Sequence, residues 1–303
     1  MQGSYEKLRD KLEDLYSIYN RRTFVHPDPL EFVYNYENSV DREVAGLVAA
    51  CLAYGRVSQI LKSVSTVLEH MGLSPASFVL SSARETMEDL YSGFRHRFTT
   101  GRELAGLLYA IKRVIKEYGS IEECFASHLD SSDNTDTTIP ALSGFVEELR
   151  CYAAQAKNSL LPDPKKGSAL KRFNMFLRWM VRRDDVDPGP WTCVEPSMLV
   201  IPLDVHMHKL SMSLGMTKRR QADMKACLEV THFFRQVEPN DPVKYDFVLT
   251  RFGILGMGSP FMEKAWPGLK RLDTACKADS WEVLWIGLKM HCTRHMQVRQ
   301  RQG

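Results

Sequence analysis

The run Ile201-Pro-Leu-Asp204-Val-His206-Met-His208-Lys209 concentrates residue types that do chemistry. Pro202 is costly inside a helix, so a helix should begin just after it, with Asp204 at or near the N-cap. A carboxylate there accepts backbone N–H bonds and faces the positive end of the helix dipole. Fixed in that way it can stabilise a developing cation or orient a water. It can also simply cap the helix, which on this fact alone is the commoner role of an aspartate. His206 and His208 are two residues apart and point to different sides of a helix. With His291, Cys292 and His295, which include an i, i+4 ligand spacing, they raise the alternative of a metal-dependent hydrolase. The chain has no His-Glu-x-x-His motif, and no metal site is expected.

Upstream lies Lys165-Lys166-Gly167-Ser168-Ala-Leu-Lys171-Arg172-Phe-Asn174-Met-Phe-Leu-Arg178-Trp179-Met-Val-Arg182. Gly167-Ser168 reads as the end of a turn and the start of a helix. Amides exposed there, flanked by Lys165 and Lys166, would hold a phosphate. Lys171, Arg178 and Arg182 fall together at spacings of seven and four, and Phe173, Phe176, Leu177 and Met180 form the opposite face. From Lys165 to Arg183 no acid interrupts the cations, which favours a phosphate-facing surface over an ordinary amphipathic helix.

The elements that must position these groups are helical. Leu8, Leu12, Leu15, Tyr16 and Tyr19 form one stripe. Residues 41–54 are nearly all apolar and predict a buried helix. Val57 to Met71 repeats apolar residues at helical spacing. Thr100-Gly-Arg-Glu103 and Ser120-Ile-Glu-Glu123 have the capping-box pattern. Further helices are expected near 140–157, 168–183, 204–214, 219–236, 242–255 and 280–297. Strand alternation is missing over any useful length. Residues 131–138 form a polar loop, and Lys157–Gly167 and Asp184–Trp191 form turns rich in proline.

Composition narrows the classes. With 44% hydrophobic and 10% aromatic residues, the 303-residue chain is not a disordered one. No apolar run approaches the roughly 20 residues of a membrane span, and Met1 to Leu15 lacks the apolar core of a secretory signal. Seven scattered cysteines without a Cys-x-x-Cys pair favour reduced thiols in a cytoplasmic protein. Residues 1–160 carry 17 basic against 22 acidic side chains, and residues 161–303 carry 23 against 15. A basic second half points to a polyanion, nucleic acid first.

The run Leu203-Asp204-Val-His206-Met-His208-Lys209, closing in Leu214-Gly215-Met216, resembles the signature of the helix–hairpin–helix DNA glycosylases. Asp204 stands at that family's catalytic aspartate, His206 at its histidine, and Lys209 where arginine is usual. Tyr245 to Gly253 is similar to the family's late helix. Ala45 to Val57 resembles its early helix, with Tyr54-Gly55-Arg56 at the following turn. Over most of its length the chain looks most like an uncharacterised bacterial family at the edge of that superfamily. Its hallmarks are matched by the runs 171–182, 202–206 and 241–247.

The resemblance implies an all-α fold with two helical lobes around a cleft. The lobes would cover 41–140 and 141–256, with 1–40 and 257–303 packing against the first. It implies cleavage of the N-glycosidic bond of a damaged or modified base in double-stranded DNA, by a monomer without cofactor. Asp204 would stabilise the cation-like sugar, and Lys171, as an amine, would add an AP-lyase step. In an alternative pairing Asn174 takes the lysine position. Lys165, Lys166, Gly167, Ser168, Arg172, Arg178, Arg182, His206 and Lys209 would bind the nucleic acid. Tyr54, Gly55 and Arg56 would supply a wedge, and Asn174, Trp179 and Trp191 would line a base pocket. The Leu-Pro-Gly-Val-Gly hairpin and the four-cysteine loop of some members are absent, so neither its alkali-metal site nor an iron–sulfur cluster is expected. The competing reading keeps the scaffold without chemistry, as a DNA- or RNA-binding module.

Overall fold

The computed structural model describes residues 2–254 except 130–135 and 156. The helix expected near 280–297, the segment 257–303, and Cys276, His291, Cys292 and His295 lie outside the described residues. Contacts divide the chain into a compact unit over Met1–Leu249 and a second over Thr250–Gly303. The core and the candidate site lie in the first.

The architecture is mostly helical. In chain order it runs α1 Gln2–Tyr19, α2 Ser39–Leu52, α3 Val57–Met71, α4 Pro75–Ser81 and α5 Arg84–Leu90. A short antiparallel hairpin follows, β1 Arg95–His96 with β2 Thr99–Thr100. Then come α6 Gly101–Tyr118, α7 Ile121–Ser127, α8 Ile139–Ala153, α9 Lys171–Val181, α10 Val205–Ser213, α11 Met224–Val237 and α12 Asp246–Ile254. The periodicities predict the long helices. They miss α4 and α5, which are two turns each, and the hairpin, whose two-residue strands are too short to show alternation.

Local chemistry sets the helix starts. Thr100 Oγ1 accepts from the Glu103 amide at 3.4 Å while Glu103 Oε2 accepts from the Thr100 amide at 2.8 Å, a closed capping box. Ser120 accepts from the Glu123 amide at 3.0 Å. The core is centred on α2, whose residues Val44 to Leu52 are all buried. It packs against α9 and against the 3-10 turn Pro29–Asn35, while α6 packs between α5 and α8.

One acid sits inside this apolar layer. Glu43 on α2 is 2% exposed and accepts from the amides of Ile121 at 2.8 Å and Glu122 at 3.2 Å, and from Trp191 Nε1 at 2.8 Å. It thereby caps α7 from another helix. Burial pushes its carboxyl up to about 7, against the pull of those three donors. Between its ordinary value of 4.5 and about 7 the folded state therefore binds more protons than the unfolded chain. Its contribution to stability is full below 4.5, falls through that window and is lost above it. Urea unfolding across this range should show a flatter stability profile for Glu43→Gln than for the wild type. An unchanged slope would remove Glu43 as its source.

Candidate active site

Three helix starts lie within electrostatic reach of Asp246. α9 starts at Lys171, α10 directly after Asp204, and α12 at Asp246. Asp204 occupies the N-cap, with extended backbone, and its Oδ1 accepts from the Met207 amide at 2.7 Å. Asp204 is partly exposed, and the neighbouring Val205 is 63% exposed. Asp246 is buried. Burial pushes its carboxyl up, Arg178 pulls it down, and the charges of Asp204 and Lys171 add a push and a pull. The charges of the amine and the carboxylate named from sequence thus both reach one enclosed acid. Nothing in the sequence singles out Asp246, although the turn Asn240-Asp-Pro242 ahead of it marks an approaching helix start.

Lys171 is positioned by a strained residue. Leu170 has φ +47°, a left-handed conformation rare for a branched side chain, and is 3% exposed. Its carbonyl accepts from the amides of Phe173 and Asn174 at 3.0 and 2.9 Å. Asn174 Nδ2 donates to the Ala169 carbonyl at 2.9 Å. Lys171 is half-buried, with Nζ 3.3 Å from Met175 Sδ.

Several expectations for this segment are corrected. α9 begins at Lys171, so Gly167 and Ser168 do not form its N-terminus. Instead Gly167 O accepts from the Met224 amide at 3.0 Å, and Ser168 bridges to Asp223. Asn174 is 1% exposed and braces the turn before α9, so it lines no open pocket. Trp179 is fully buried, and Trp191 packs edge-on to Phe176 at 5.4 Å while bonded to Glu43. Both tryptophans belong to the core.

The largest correction concerns Arg178 and Arg182, which are 4% and 3% exposed. They do not face a phosphate. Arg178 bonds Asp187 at 3.2 Å and Asp246 at 2.6 Å. Arg182 bonds Asp241 at 2.8 Å, Asp184 at 2.9 Å and Asp187. Burial pushes the Asp187 carboxyl up to about 6, opposed by both guanidiniums. The turn that delivers Asp184 and Asp187 requires Gly189: its φ is +48°, and a Cβ there would lie 2.4 Å from the Arg182 carbonyl oxygen. Arg172 is likewise engaged, donating to the carbonyls of Cys51 and of Ser159, the latter at 2.8 Å.

A second feature joins Tyr54-Gly55-Arg56 to the hairpin. β1 and β2 pair His96 with Thr99, which leaves Arg97 and Phe98 as the tip. Phe98 is 62% exposed and stacks on Tyr54, with ring centroids 5.0 Å apart at 24°. His96 meets the Tyr54 ring edge-on at 4.6 Å, and Tyr54 Oη donates to the His96 carbonyl at 3.0 Å. The Arg172 guanidinium lies 5.1 Å from the Tyr54 centroid. Gly55 has φ +101°, and a Cβ there would come 2.7 Å from Arg97 Cδ. Arg56, Arg95 and Arg97 are exposed around the stacked pair. The run Phe94-Arg-His-Arg-Phe98 was the available signal for this tip.

The third feature is a basic edge. Lys165, Lys166, Gly167 and Ser168 are exposed, with Lys165 3.9 Å from Glu147. Through the Ser168–Asp223 bridge they adjoin the connection between α10 and α11, where Arg219 grips Asp223 at 3.0 and 2.7 Å. Lys218, Arg220 and Lys225 are exposed there. The run Lys218-Arg-Arg220 could have marked this edge. On α10, His206 and Lys209 are exposed, whereas His208 is buried with Nε2 2.9 Å from the Arg219 carbonyl. The two imidazoles therefore do not share a site. Among the described residues no helix is long and apolar enough to cross a membrane.

A family described as a protein of unknown function, DUF2400, matches residues 28–255, about three quarters of the chain. No curated protein and no solved structure matches.

Proposed function

The chain belongs to the DUF2400 family, and on the site it carries we propose that it is a DNA glycosylase-like enzyme, cleaving the N-glycosidic bond of a damaged or modified base in duplex DNA. The observation that carries the reading is that Lys171 and Asp204, each at a helix start, both act on the charge of the buried Asp246 at a third. Cleavage of that bond builds positive charge on the sugar, and a fixed, partly exposed carboxylate offsets it. The base leaves with the glycosidic electron pair. Lys171 Nζ, after giving up a proton to solvent, bonds to C1′; the C1′–O4′ bond then breaks, O4′ takes up a proton as a hydroxyl, and a Schiff base results. Without that attack, Asp204 would orient a water and the enzyme would be monofunctional.

The surroundings fit a duplex. The edge from Lys165 to Ser168 and from Lys218 to Arg220 supplies cations for phosphates. The target nucleotide must leave the stack, and the exposed Phe98 ring on Tyr54 offers a π-face to fill the gap. Phe98→Ala is expected to weaken duplex binding by roughly 5- to 150-fold, the range of about 1–3 kcal/mol for one base stacked on an aromatic ring. Lys165→Ala with Lys166→Ala should lower the slope of log affinity against log salt by about 2. Fluorescence anisotropy at several salt concentrations checks both.

The deciding experiment incubates the protein with duplexes carrying 8-oxoguanine, uracil, alkylated purines or an abasic site, with and without borohydride. Base release establishes the glycosylase. A borohydride adduct that disappears in Lys171→Ala establishes the lyase step. Salt-sensitive binding without release from any duplex would overturn the enzymatic reading in favour of a non-catalytic binding module.

A further inference from the structure

Away from this site, α7 and α8 bring together three side chains that the reading above does not use. We propose that Cys124, His128 and Glu148 form a binding site for one zinc ion between α7 and α8. The thiol sulfur, an imidazole nitrogen and a carboxylate oxygen lie within 4.8 Å of one another. Cys124 and His128 are separated by one helical turn, an i, i+4 spacing that puts two ligands on one face. His128 Nε2 is 2.7 Å and Cys124 Sγ 3.8 Å from the same atom, Glu148 Oε2.

The groups behind these ligands hold them in place. Tyr118 Oη donates to Glu148 Oε1 at 2.6 Å, and Tyr152 Oη lies 3.1 Å from Oε1 and 2.6 Å from Glu117 Oε2. The tyrosines thereby occupy one carboxylate oxygen and leave the other facing the thiol and the imidazole. Outer groups orient ligands at metal sites in this way. The His128 ring sits against Gly144, where a Cβ would come 2.6 Å from Nδ1. Only a residue without a side chain leaves room for the ring there.

The donor set selects the ion. A thiolate, an imidazole and a carboxylate suit zinc, whereas magnesium and calcium require oxygen ligands. One thiolate and one carboxylate balance the double positive charge, with the imidazole neutral. Binding releases the Cys124 proton to solvent and requires the His128 proton on Nδ1, so that the Nε2 lone pair faces the metal. Three protein ligands leave the fourth tetrahedral position to water. The ion would clamp α7 to α8.

Chelator-treated full-length protein titrated with zinc should bind one tight equivalent, and zinc should raise the thermal unfolding midpoint as its concentration rises. Cadmium should produce an ultraviolet thiolate-to-metal charge-transfer band. Cys124→Ser should abolish that band and the tight equivalent, while Cys151→Ser and Cys193→Ser keep both. His128→Gln, at a side chain 26% exposed and so least disruptive to the fold, should weaken zinc at least about tenfold. It should also remove the rise in midpoint. The cadmium band of the wild type needs no variant, so the test survives if Cys124→Ser fails to fold. Absence of a tight equivalent in the wild type would overturn the proposal, leaving Glu148 as a hydrogen-bond hub. Equal zinc affinity in His128→Gln would do the same. Neither result depends on base release.

Discussion

Asp204→Asn is expected to reduce base release by about 10²- to 10³-fold while leaving the fold intact. The two roles of this residue separate by substitution. As a cap, Asp204 contributes through one oxygen that accepts the Met207 amide, and an asparagine oxygen does this about as well. As a stabiliser of a sugar cation it contributes its charge, which asparagine lacks. Losses of the stated size follow when a preorganised electrostatic partner of a transition state is removed. Asp204→Ala removes both roles and should add about 1 kcal/mol of destabilisation to the same loss of rate. Single-turnover base release and urea unfolding on both variants check the pair. Release by Asp204→Asn within a few-fold of the wild type would mean that Asp204 is a cap and nothing more.

Arg178→Met is expected to cost about 3–5 kcal/mol of stability. The side chain is 4% exposed and bonded to Asp187 and Asp246. Removing it takes a guanidinium from two buried carboxylates, Asp246 and Asp187, and leaves Asp187 to Arg182, which already holds Asp184 and Asp241. Breaking such a group costs far more than a surface pair contributes, because the charge left behind remains desolvated. For a chain of this size the loss corresponds to a fall in unfolding midpoint of roughly 6–20 °C. Arg183→Ala, one position beyond Arg182 and exposed, should change stability by no more than about 0.5 kcal/mol. If Arg178→Met melts like Arg183→Ala, the buried ion group does not hold α9 in place. The substitution would also disturb Asp246, and with it the surroundings of Lys171 and Asp204, so activity is not the readout here.

Much of this protein is written locally. The stripe from Val57 to Met71, the box from Thr100 to Glu103 and the Pro202–Asp204 start of α10 each depend on residues within one or two turns of one another. Sequence therefore determined the helical class, most helix positions and the N-cap role of Asp204. The cation run from Lys165 to Arg183 was different. Its spacing told which residues share a face of α9 but not what that face meets. Tertiary structure divided the run, leaving Lys165 and Lys166 in solvent and enclosing Arg178 and Arg182. The acids that make such burial tolerable arrive from the turn at Asp184–Asp187 and from Asp241 and Asp246, about sixty residues onward. The same holds for Phe98, which stacks on a tyrosine forty-four positions earlier, and for Glu148, which meets a cysteine and a histidine of another helix. A helix start is decided by hydrogen bonds between near neighbours. Whether a charge is buried depends on partners that only the folded chain can bring to it.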